Sequence, residues 1–149
     1  MPKRVIQKSQ AISDPTIIWN TFIDLISGRP EDLDPDQRPA HFVLIYDFEV
    51  QNGGHLQYFY NHRNAYLQET LLALTLFGAA CQREILEEAA RLFDSRPRKQ
   101  PETAEEYSAI ALQGEFNSFD TRFHDCSPPL GELLGKHLSE HPDTYIEFA

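Results

Sequence analysis

Apolar residues recur every three or four positions along most of this chain, and that spacing marks amphipathic helices with one buried face. It runs through Ile18, Phe22, Leu25 and Ile26, then through Tyr66, Leu67, Leu71, Leu74 and Phe77. It returns at Ile85, Leu86, Ala89, Leu92 and Phe93, and again at Leu130, Leu133, Leu134 and Leu138. Glycine or proline punctuates these stretches, at Gly28, Pro30, Gly78, Pro97 and Pro142. The fold expected is all-α, one compact bundle of about six to eight helices over residues 13–149. Residues 1–12, with Lys3, Arg4 and Lys8 but no period, read as a loose N-terminal arm. A chain of 149 residues suits one domain that buries roughly two-thirds of its unfolded surface.

The helix boundaries can be read from local chemistry. Ser13-Asp14-Pro15 opens the first helix, with Ser13 as cap and Pro15 in the first turn, where its missing N–H costs nothing. That helix should end near Ser27. Residues 28–39 hold three prolines and the acids Glu31, Asp32, Asp34 and Asp36, as befits an exposed connection. Asp32-Leu-Asp34-Pro-Asp36 is not a calcium loop, because Gln37 and Val43 stand where such a loop needs glycine and a bidentate glutamate.

Residues 40–50 are apolar enough for a buried helix or a strand, and Gln51-Asn52-Gly53-Gly54 would serve as a helix C-cap or a hairpin turn. We assign a helix, since the continuation is helical and no other segment offers a strand partner. Leu72 and Leu76 widen the stripe of the following helix and should make it central. Glu102 to Glu106 opens a helix with the seam Leu112, Phe116, Phe119 and Phe123, and the tail docks through Tyr145, Ile146 and Phe148.

Several kinds of chemistry lack their residues. The formal net charge of −10 opposes direct contact with nucleic-acid phosphates and favours a basic partner. Cys81 and Cys126 lack a Cys-x-x-Cys spacing and are expected as reduced structural thiols. With no apolar leader and no membrane-length apolar run, a cytoplasmic protein that neither spans nor binds a membrane is expected. His137 and His141 are one helical turn apart but lack a third ligand, and His55 and His62 are about 10 Å apart along a helix. No phosphate cradle or nucleophile elbow is present. We therefore expect no metal, no cofactor and no enzyme activity. The basic stretch Arg96-Pro-Arg98-Lys99 reads as an exposed loop.

One segment stands apart: Glu49-Val-Gln-Asn52-Gly53-Gly54-His-Leu-Gln57-Tyr58-Phe59-Tyr-Asn61. It joins two apolar elements through a sharp break, with side chains able to satisfy the free backbone groups at both helix ends. As scaffold it fixes an interhelical angle; as a recognition patch it would present Gln57, Tyr58 and Asn61. The run resembles the Glu-x-x-Asn-Gly-Gly-Phe-x-Gln-Phe-Phe-x-Asn signature of a bacterial domain family named after a DNA-mimic protein. The similarity continues to about Phe93 and again over Phe119-Asp-Thr-Arg-Phe-His-Asp125. His55 departs from the usual aromatic, Tyr58 replaces phenylalanine, and Asn61-His-Arg-Asn stands where small, polar or acidic residues often follow.

The resemblance implies an all-helical fold, a homodimer and, for the member that gave the family its name, an acidic surface that occupies the DNA-binding face of a transcription factor. The charge is distributed accordingly, since beyond residue 100 the chain carries Glu102, Glu105, Glu106, Glu115, Asp120 and Asp125, then Glu132, Glu140, Asp143 and Glu147. Arg122 and Lys136 are the only bases there. The expected partner surface comprises Glu31, Asp32, Asp34, Asp36, Glu102, Glu105, Glu106, Glu115, Asp120 and Asp125. Three functions follow: an acidic module docking on a basic DNA-binding regulator, an immunity-type protein neutralising a basic toxin or nuclease, or an enzyme using the Glu49–Asn61 region, with a pocket around Glu49 and His55. The first two require binding that weakens with salt, and the third a convergent pocket.

Overall fold

Eight α-helices carry the chain in a computed structural model that describes residues 2–149: α1 (Lys8–Ser13), α2 (Thr16–Ile26), α3 (Arg38–His62), α4 (Leu67–Leu76), α5 (Ala80–Asp94), α6 (Ala104–Leu112), α7 (Asn117–Asp125) and α8 (Leu130–Glu140). Single 3-10 turns occupy Pro30–Asp32 and Pro142–Thr144. The all-α expectation holds. Among the described residues no helix is long and apolar enough to cross a membrane.

The cap of α2 comes one residue later than the sequence implied. Asp14 Oδ1 accepts from the Thr16 N–H and hydroxyl, while Ser13 Oγ donates back to the Gln10 carbonyl. Helix α3 is the axis of the bundle, packing against α2, α4, α5, α7 and α8. It buries residues around its whole circumference, among them Val43, Tyr46, Val50, His55 and Phe59. Phe59 stacks on Phe93 of α5 with ring centres 4.9 Å apart. At the other end, Phe22 of α2 meets the edge of Tyr145 at 4.7 Å.

The first residues are not a loose arm. Arg4–Ile6 forms a short strand, β1, paired in parallel with β2 (Ile146–Phe148) in the register Arg4 to Ile146. Ile6, in this pair, is buried among the core residues. An isolated three-residue strand has no period to betray it, and its partner lies at the opposite end of the sequence. Tyr145, Ile146 and Phe148 dock as expected, though through a strand.

Three further expectations are corrected. Leu72 and Leu76 are 63% and 73% exposed, so α4 presents an apolar outer face instead of being enclosed. The aromatic seam after residue 102 belongs to two helices, because Gly114, at φ +65°, turns the chain between α6 and α7 and leaves Leu112 88% exposed. Cys81 and Cys126 are joined in a disulfide between the first turn of α5 and the end of α7. Arg83 of α5 donates to the Thr75 hydroxyl of α4.

Candidate functional site

The break in α3 follows directly from two glycines. Gly53 sits at φ −150°, ψ 17° and Gly54 at φ 74°, ψ −176°, a backbone region that only glycine enters readily. A Cβ at Gly54 would overlap the Asp120 carboxylate of α7, and one at Gly53 would overlap the Gln57 side chain. The glycines therefore do two things: they redirect the helix, and they let a distant side chain approach its backbone.

That side chain caps the second half of α3. Asp120 Oδ1 accepts the backbone N–H of His55 at 2.8 Å and lies 2.7 Å from His55 Nδ1. A carboxylate at the start of a helix meets both its free N–H groups and the positive end of its dipole. The imidazole of His55 is fully buried, and its Nε2 lies 2.8 Å from the Tyr46 hydroxyl. Burial, reinforced by neighbouring anions, holds the Tyr46 phenol well above its ordinary ionisation range, so it remains a donor. A carboxylate oxygen accepts, so Nδ1–H donates to Asp120, while the Tyr46 hydroxyl meets Nε2 on the other side of the ring. The Tyr46–His55–Asp120 chain ties both halves of α3 to α7.

The other residues of the segment lock the break from outside. Asn52 Nδ2 donates to Gln57 Oε1 across the glycines. Asn61 Nδ2 donates to Glu49 Oε2 at 2.7 Å, and His62 Nε2 lies 3.6 Å from that oxygen. Phe59 and Tyr58 are core residues, and burial pushes the Tyr58 phenol up to about 12. Gln57 and Asn61 thus reach the surface, but Tyr58 is not part of an exposed recognition patch. Glu49 and His55, the pair an enzyme would use here, make separate contacts and do not converge.

A cleft of about 290 Å³ opens beside the break, lined by Asn52, Gly53, Leu56 and Gln57 of α3 and by Tyr107, Ile110, Ala111, Gly114, Glu115, Phe116, Asn117 and Asp120. Residues of the glycine-containing run thus share one concavity with the α6–α7 turn. A family model described as DMP19-like protein matches residues 31–141. The chain belongs to the DMP19-like family. That DMP19-like stretch takes in every element lining the cleft and leaves β1, α1 and α2 outside it. Comparison with curated proteins and with solved structures gives no match.

The acids expected to form a partner surface divide into two groups. Glu115 is bound by Arg98 through two bonds of 2.6 and 3.0 Å and also contacts Arg96. Arg98 holds the Glu115 carboxyl below its usual range by hydrogen bonding. Asp120 serves the helix break, while Glu31 and Asp32 face Arg29. These four are used within the molecule. Asp34, Asp36, Glu102, Glu105, Glu106 and Asp125 form no ion pair among the described residues, and all but Asp34 are exposed.

The sequence reading missed Tyr46 and the structural use of Asp120. The weak signal available was Phe119-Asp-Thr-Arg-Phe-His-Asp125, which carries Asp120 but nothing to say what it faces. Among the described residues no group of three metal-ligating side chains is present. His137 Nε2 contacts the Tyr145 hydroxyl at 2.7 Å.

Proposed function

We propose that this DMP19-like protein acts by binding, and that its acidic surface occupies the basic face of a DNA-binding regulator in place of DNA. The observation carrying this reading is the exposed set Glu102, Glu105 and Glu106 at the start of α6, with no basic side chain answering it. Glu105 and Glu106 occupy the first turn of α6 and Glu102 directly precedes its cap. Glu106 reaches back to the Glu102 backbone N–H, which gathers three carboxylates in a short row at one helix end. The surplus charge of the whole chain would steer a cationic surface towards that row. Glu31, Asp32 and Glu115 are left out of this surface, because each already pairs with an arginine within the fold.

The test is capture from a native lysate at low salt, followed by measurement of DNA binding by the captured protein. Capture should fall steeply as salt rises, and the triple change Glu102→Gln, Glu105→Gln and Glu106→Gln should reduce it at least about tenfold. A captured basic nuclease that loses its activity would assign the immunity-type role instead. Capture insensitive to both salt and the triple change would remove the acidic surface from the mechanism.

A further inference from the structure

The cleft beside the glycine break has a composition that its structural role does not require. Its walls are apolar, from Leu56, Ile110, Ala111 and Phe116, while the carboxamides of Asn52, Gln57 and Asn117 bring polar groups to it. Two carboxylates also line it, but Glu115 is already neutralised by Arg98 and Arg96. Asp120 is different. Its Oδ1 takes both contacts from His55, whereas Oδ2 accepts no hydrogen bond among the described residues, and the side chain remains 26% exposed. The near nitrogen of His55 thus engages Oδ1 alone, which leaves Oδ2 outside the hydrogen-bonded chain.

An anionic oxygen with spare acceptor capacity, set among apolar walls, complements a cation carried on an aliphatic stem. The surrounding carboxamide oxygens and the Tyr107 ring favour a planar group with several N–H donors over a compact ammonium. We propose that this cleft receives an arginine side chain of the binding partner, with its guanidinium on Asp120 Oδ2 and its methylene stem between Leu56 and Ile110. The assignment rests on the reading that the partner is basic, and it makes the glycine break part of the recognition site as well as its scaffold.

N-acetyl-arginine methylamide titrated into the full chain, followed by backbone amide NMR, tests it. Resonances of Gly53, Gln57 and Asn117 should shift together, and the citrulline and lysine counterparts should bind at least about tenfold more weakly. Ala111→Trp fills the cleft from an exposed position of α6 without touching the cap, and should abolish binding in a protein whose urea unfolding is unchanged. Asp120→Asn should weaken it at least about tenfold, scored only in protein that circular dichroism shows to be folded. Absence of shifts in the wild-type protein, equal binding of the citrulline or lysine compound, or binding that survives Ala111→Trp overturns the proposal. Arginine binding without lysate capture would sink the partner reading alone; capture that survives Ala111→Trp would sink the cleft assignment alone.

Discussion

Two glycines with the same sign and size of φ have different consequences in this protein. Gly54 and Gly78 both stand at φ +74°, but a Cβ at Gly78 meets nothing within 4 Å, whereas one at Gly54 strikes the Asp120 carboxylate. Gly78→Ala therefore carries backbone strain alone and should cost about 1 kcal/mol. Gly54→Ala adds the loss of the Asp120 cap and the His55 contact, and should cost at least about 3 kcal/mol. Urea unfolding of the two variants, compared at equal slope, measures the difference. Equal costs would mean that the Asp120 contact contributes nothing to the break. The segment from Glu49 to Asn61 was legible as a sharp turn between apolar elements because Asn-Gly-Gly announces one. Its partner was not, since a cap that comes from 65 residues away leaves no mark on the local sequence.

At the level of elements, α7 is held at both ends of its working length. Asp120 fixes it to the break in α3, and Cys126 fixes its C-terminal end to α5. The disulfide closes a loop with a sequence separation of 45, and the chain-entropy relation puts its stabilisation at about 4 kcal/mol. Cys81→Ser, or reduction of the native protein, should lower unfolding stability by about 2–4 kcal/mol in urea, with coincident far-ultraviolet and fluorescence transitions if the bundle still unfolds as a unit. Helix positions for α2, α4, α5 and α8 were readable because each pairs a strong apolar stripe with a glycine or proline stop. The aromatic spacing from Leu112 to Phe123 misled, since Gly114 breaks the helix without breaking the period. Two cysteines without a characteristic spacing carry no sign of whether they pair; only the placement of α5 beside α7 decides it.

Across the whole molecule, one buried and one half-buried histidine should make stability depend on mild acid. Burial lowers the pKa of His41, whose Nδ1–H donates to the Ile26 carbonyl, and burial with the nearby His141 lowers that of His137. The folded state resists protonation at both sites, so the unfolded chain binds more protons below about 6.5. Their contribution is full above that value and is lost as pH falls from it through the folded values. Glu115, lowered by Arg98, adds a second loss that begins near the ordinary carboxylate value of 4.5. Melting temperature followed from pH 7.5 to 4 should fall in these two stages, and His41→Gln with His137→Gln should flatten the first. The all-helical class was legible at this scale because helical periodicity pervades the chain. The pairing of its two terminal strands was not.

The remote cap also orders events in time. While the polypeptide emerges from the ribosome, both halves of the long central helix are synthesised well before the aspartate that fixes their joint. Until that residue appears, the contact that pins the joint from α7 cannot form.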